Sequence, residues 1–184
     1  ARGARSEREQ HGPLALGGRR AHLRQLLDDP GRRDEVLRAQ GRRQRGLQVV
    51  AADLQRTDIA LQKPHAEIHW LCYDVYSAEF VDYLKSHWPG FHVVLSDMAP
   101  RTTGSQYADH QQSLALVRRV LDLAALFLHE NGTLYCKVFQ GEDFPEFLQE
   151  CKPLFATVKV VKPKSSRLES REVFVLGRGF RRAK

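Results

Sequence analysis

Lys137 stands in the middle of Leu134-Tyr-Cys-Lys-Val-Phe139, a run that otherwise has the composition of a buried strand. A buried ammonium is costly unless it is paired or put to use, although a lysine at a sheet edge could instead reach solvent along its aliphatic stem. Three acids close other apolar runs. Asp53 ends Leu47-Gln-Val-Val-Ala-Ala-Asp53, Asp74 follows Ile68–Tyr73, and Asp97 follows His92-Val-Val-Leu-Ser96. One strand-end aspartate often only caps the next turn. Three in succession, on strands expected to be adjacent, point to a shared ligand site. Glu172 opens a further apolar run, Val173–Leu176, as a second candidate buried charge. A lysine, an aspartate and a glutamate meeting in one crevice are the parts needed to move a proton.

The elements that must position these groups alternate. Strands are expected at Leu47–Asp53, Ile68–Tyr73, His92–Ser96, Thr133–Phe139, Val158–Val161 and Glu172–Leu176. Helices are expected at Ala78–His87, His110–His129 and Phe144–Phe155, with Asn131-Gly132 closing the second. Pro145 falls in the first turn of the third helix, where its missing N–H costs nothing. This alternation predicts an α/β fold with a mostly parallel open sheet flanked by helices. Ligands of such sheets bind at the carboxyl ends of the strands, where Asp53, Asp74 and Asp97 fall.

The charge is unevenly spread. The formal net charge is +7, but residues 1–46 hold 12 arginines and 6 acids, residues 47–151 hold 7 basic and 14 acidic groups, and residues 152–184 hold 10 basic and 2 acidic groups. Basic ends favour a polyanionic partner, with a solvated charged surface as the bland alternative. The three cysteines, Cys72, Cys136 and Cys151, form no CxxC pair and read as reduced thiols. His65 and His69 lie four apart but lack an HExxH frame, and no metal site is expected. No secretory leader and no membrane span are expected, which suits a cytoplasmic protein.

Three motifs then carry a family resemblance. Val94-Leu-Ser-Asp-Met-Ala-Pro100 with Gly104 and Asp109, then Cys136-Lys-Val-Phe-Gln-Gly141, then Lys162-Pro-Lys-Ser-Ser-Arg167 with Ser170-Arg-Glu-Val-Phe174, resemble the FtsJ/RrmJ family of ribosomal RNA large-subunit 2′-O-ribose methyltransferases. The likeness runs from about Leu47 to Phe180. It implies a Rossmann-like methyltransferase fold dependent on S-adenosylmethionine, and a monomer acting on large-subunit (23S-type) ribosomal RNA or the large ribosomal subunit. It also implies that the Asp, second Lys and Glu of the family's Lys-Asp-Lys-Glu tetrad are Asp97, Lys137 and Glu172. The cofactor would be held partly by Asp53, Asp74 and Asp97. Lys162, Lys164, Arg167, Arg171, Arg178, Arg181 and Arg182 could then track RNA phosphates.

The start of the chain departs from that pattern. The first lysine of the sequence is Lys63, so the tetrad's first lysine has no counterpart. The family's glycine-rich cofactor loop is not recognisable either. The nearest stretch, Leu27-Asp-Asp-Pro-Gly-Arg-Arg33, keeps Pro30-Gly31 but places arginines where small or aromatic residues belong. The chain therefore divides into an atypical Arg-rich segment at 1–46, in which no ordered strand is expected, and a methyltransferase domain at 47–184. A diverged loop, a catalytically inactive RNA-binding relative, and a non-native reading of a GC-rich gene all account for the first segment. Methylation of a base or protein amine ranks below hydroxyl methylation, because Asp97-Met-Ala-Pro100 lacks the Pro-Pro-aromatic pattern of amine methylases.

Overall fold

The computed structural model describes residues 14–16, 47–55, 66–163 and 170–182. Among these residues seven strands run in chain order as β1 (Leu14–Leu16), β2 (Leu47–Asp53), β3 (Ala66–Cys72), β4 (Phe91–Ser96), β5 (Leu128–Phe139), β6 (Phe155–Val161) and β7 (Glu172–Phe180). Among the described residues three helices are interleaved: α1 (Ala78–His87), α2 (Gln106–Phe127) and α3 (Phe144–Cys151). The strands form one sheet in the order β3-β2-β1-β4-β5-β7-β6. The first five are parallel, and β7 is antiparallel to both β5 and β6. The expected mostly parallel α/β sheet is thus borne out.

The strand order reverses at β1, where β2 lies on one side and β4 on the other. Such a switch point opens a crevice beyond the carboxyl ends of the strands. One face of the sheet, including Val50, Val94, Leu134 and Val175, packs in a single apolar cluster with Phe80 and Leu84 of α1, Leu114 and Leu121 of α2, and Phe147 of α3. On the other face, Val49, Val93 and Leu95 form a smaller cluster with Ile68 and Tyr135. Ser77 and Ser105 start α1 and α2, their hydroxyls accepting the N–H of Phe80 and Ala108.

β1 corrects the expectation of no strand before Leu47. It takes an interior place in the sheet with only three residues, Leu14-Ala15-Leu16, between Pro13 and Gly17-Gly18. A run this short has no readable period, and pairing on both edges is what makes it a strand. It also separates β2 from β4, so Asp53 and Asp97 are not on adjacent strands as expected.

Asn131-Gly132 does not close the long helix either. α2 ends at Phe127 and β5 begins at once, with the pair lying inside that strand as an irregularity. Phe91 pairs with Leu128 while Val93 pairs with Thr133, so β5 gains extra residues there. Asn131 adopts a φ of 66°, a left-handed conformation that asparagine tolerates better than most residues.

Candidate active site

Register brings the two central side chains together. Ser96 of β4 lies beside Cys136 of β5 in a parallel pair, so the next step sets Asp97 beside Lys137. Lys137 Nζ is 3.0 Å from Asp97 Oδ1. Only 6% of Lys137 and 1% of Asp97 is exposed, so the pair is withdrawn from water. The edge-lysine alternative is excluded, because β5 is an interior strand between β4 and β7. Coulomb attraction in such a place is much stronger than at a surface, and it is opposed by the cost of desolvating both ions.

Glu172 reaches the same region from β7. It pairs with Phe139, while Phe174 pairs with Lys137. Side chains alternate along strands and paired residues share a face, so Glu172 and Lys137 lie diagonally on one face of the sheet. Glu172 is half-buried rather than fully buried. Its N–H donates to Ser170 Oγ at 3.2 Å.

The segment after Asp97 is tied down by Asp109 in the first turn of α2. Asp109 Oδ1 accepts the Thr103 N–H at 2.7 Å and the Thr103 hydroxyl at 2.9 Å. Gly104 between Thr103 and Ser105 has a φ of +87°, which glycine adopts without strain. The Thr103 N–H foremost, then the Thr103 hydroxyl, the Gly104 backbone and the Arg171 charge hold the Asp109 carboxyl below its usual range, against burial.

The end of β5 is held by two buried side chains of α2 that sequence reasoning passed over. Ser113 Oγ accepts the Phe139 N–H at 3.0 Å, and His110 Nδ1 bonds the Phe139 carbonyl at 2.9 Å. His110 Nε2 accepts the Asp143 N–H at 3.2 Å. A carbonyl only accepts and a backbone N–H only donates, so the hydrogen of this imidazole sits on Nδ1. A histidine at a helix start carries no sequence signal for such a role. The partner is 29 residues away.

Asp53 and Asp74 complete the crevice edge. Asp53 is half-buried and Asp74 exposed. The Tyr73 N–H donates to the Asp53 carbonyl at 3.1 Å, which fixes the two strand tips side by side. Each carboxylate turns its own loop: Asp53 Oδ1 accepts from Gln55 N–H, and Asp74 Oδ1 from Tyr76 N–H. Both acids therefore do perform the bland turn-capping role. Their place at the strand tips beside the switch point is what makes them ligand candidates as well.

The basic tail is divided by topology. β7 runs away from the site, so Arg178 lies opposite Thr133, four residues before Lys137. Arg182 donates to the Leu128 carbonyl and, through its N–H, to Glu130, at the amino end of β5. Arg178, Arg181 and Arg182 thus lie toward the end of the sheet remote from Lys137. Lys162 follows β6 at the near end, and Lys164 and Arg167 fall outside the described residues. Among the described residues no group of histidines, cysteines and acids is arranged to hold a metal ion.

Comparison with known proteins agrees with the motifs. The FtsJ-like methyltransferase family matches residues 30–180, further toward the amino terminus than the Leu47 read from motifs. The ribosomal RNA large subunit methyltransferase E of Desulfotalea psychrophila is 45% identical over 134 residues, covering 73% of this chain and 67% of that one. The protein of that name from Oleidesulfovibrio alaskensis is 41% identical over 135 residues, 72% of this chain and 63% of that one. The chain thus spans about two thirds of the length of these relatives. Among solved structures, a Plasmodium falciparum protein described as a ribosomal RNA methyltransferase superposes with a TM-score of 0.65 at 20% identity, over 94% of this chain and 88% of that one. A chain of the fibrillarin/Nop5p complex gives 0.53 at 15% identity, over 92% and 73%. These structural likenesses concern the fold alone, and the extent of the sequence match gives the conclusion: the chain belongs to the FtsJ-like methyltransferase family.

Proposed function

We propose that this chain methylates a ribose 2′-hydroxyl of RNA, using S-adenosylmethionine, with large-subunit ribosomal RNA as the substrate class. The single observation that carries the reading is the buried Lys137–Asp97 pair at the carboxyl edge of the sheet, with Glu172 on the same face. Hydroxyl methylation needs a group that orients the alcohol and takes its proton, because a ribose hydroxyl stays protonated near neutrality. Lys137 orients the 2′-oxygen and, in its neutral form, accepts the proton at Nζ. Asp97 fixes the direction of Lys137, and Glu172 positions Lys137 or the ribose. Alignment supplies much of the rate, since the proton acceptor and the hydroxyl must be held in register.

The donor groups of the cofactor suit the acids present. S-adenosylmethionine has a ribose diol, an exocyclic amine and an ammonium, all of which donate hydrogen bonds to carboxylates. Asp53, Asp74 and Asp97 offer three carboxylates at the strand tips flanking the switch point, the place where such folds take nucleotides. When bound, the cofactor supplies a methyl group activated by its sulfonium.

The methyltransferase domain is assigned to residues 47–184, with β1 contributed from residues 1–46. The protein is proposed to act as a monomer in the cytoplasm, on large-subunit ribosomal RNA or the large subunit itself. Among the described residues no helix is long and apolar enough to cross a membrane. A second reading, a catalytically inactive RNA-binding relative, is favoured by one observation: Arg32 and Arg33 follow Pro30-Gly31 where the family's cofactor loop has small or aromatic residues. Tritiated methyl transfer to ribosomal RNA and to large subunits, followed by nucleoside mapping, tests the first reading. Label in a 2′-O-methylnucleoside supports it, and Lys137→Ala should abolish that label while calorimetric binding of S-adenosylmethionine persists. Label on a base, or turnover retained by Lys137→Ala, overturns it. RNA binding with no cofactor binding selects the second reading.

A further inference from the structure

Arg171, the residue before Glu172, is placed differently from a phosphate contact. Its guanidinium donates through Nε to the Gln140 carbonyl at 3.1 Å and through Nη2 to the Gln106 carbonyl at 3.1 Å. The Gln140 N–H donates back to the Arg171 carbonyl at 2.8 Å. Gln140 is three residues beyond Lys137, at the exit of β5. Gln106 opens α2, directly after the segment that leads from Asp97. Arg171 itself leads into β7 one residue ahead of Glu172. One planar cation therefore joins the three chain segments that carry Lys137, Asp97 and Glu172. Its charge also acts on Asp109, which holds Thr103 in that same segment.

We propose that Arg171 is a positioning residue for the Asp97–Lys137–Glu172 constellation, not an RNA phosphate ligand. The proposal rests on the methyl-transfer reading above. A guanidinium is suited to this task because its fork presents rigid, divergent donors to two carbonyls, whereas a lysine ammonium is a point charge on a flexible stem. Losing the bridge frees the exit of β5 and the entry of α2 to shift relative to each other. A displacement of about 1 Å at a reacting pair costs on the order of 100-fold in rate.

The test compares wild type, Arg171→Ala and Arg171→Lys in methyl transfer to ribosomal RNA and in RNA binding across a salt series. Thermal melts confirm that each variant is folded. Both variants should lose on the order of 100-fold in kcat, with KM for RNA changed little. The slope of log affinity against log salt should match wild type. A phosphate ligand behaves in the opposite way: that slope falls by about 1, KM rises, and Arg171→Lys largely restores function. Any of these three outcomes overturns the proposal. Should wild type show no turnover, the methyl-transfer reading fails by itself. Hydrogen exchange then decides the bridge: residues 98–106 and 138–141 should both exchange faster in Arg171→Ala than in wild type, and unchanged exchange overturns it.

Discussion

Lys137 and Asp97 meet at 3.0 Å because β4 and β5 run parallel in a register that sets Ser96 beside Cys136. Neither residue is near the other in sequence, and each lies in or just beyond an apolar strand. Their burial makes each one dependent on the other. Asp97→Asn should leave a buried ammonium without its counter-charge and destabilise the fold by about 3–5 kcal/mol. The paired change Asp97→Leu with Lys137→Met should cost far less than the sum of the two single changes. Urea denaturation of wild type, Asp97→Asn, Asp97→Leu, Lys137→Met and the double change checks this, and additive effects of the last pair would show that the ions do not interact.

Acid should act through Asp109. Its carboxyl is held below the ordinary aspartate range, chiefly by the Thr103 N–H. A depressed carboxyl adds stability that is fully present above its unfolded value and is lost as pH falls through the folded one. Between pH 5 and lower values, wild type should therefore lose more stability than Asp109→Asn, and the two melting curves should converge on acidification. A constant gap between them down to pH 3 would remove Asp109 from the account.

Gly141 should be intolerant of any side chain. A Cβ there would run into the His110 ring, which is itself locked between the Phe139 carbonyl and the Asp143 N–H. Gly141→Ala should cost about 1–3 kcal/mol, the usual range for overpacking. His110→Ala in the same chain should relieve part of that cost, so the double mutant should be less destabilised than the sum. Equal, additive losses in denaturant melts would show that the ring is not the obstacle.

The three thiols should separate by reactivity. Cys72 is exposed, whereas Cys136 and Cys151 are buried. Burial pushes the Cys136 thiol well up and the Cys151 thiol to about 12. Thiolate is the reactive form, so a disulfide reagent at pH 8 should label one cysteine in the native protein and three after denaturation. Rapid native labelling of Cys136 would contradict the packing around β5.

The candidate site residues stand out in the sequence, because each departs from the pattern around it. A lysine inside Leu134–Phe139 and acids closing three other apolar runs contradict the pattern around them, and such contradictions point to function. The α/β alternation followed from local composition in the same way, and the helix Ala78–His87 and the strand Leu47–Asp53 were readable to the residue. Strand order, register and distant hydrogen bonds were not. β1 has too few residues to show a period and exists through its neighbours on both edges. Asn131-Gly132 looks like a helix stop, and only pairing with β4 makes it an irregularity in β5. Arg171 looks like one more basic residue in a basic tail. Only folding brings Gln106, 65 positions away, to its guanidinium. The sequence alone determined which side chains could do the chemistry, since that is a property of residue types in local context. Tertiary structure decided which of them meet and what holds them there, since contacts between distant segments depend on register and crossover, which no local pattern encodes.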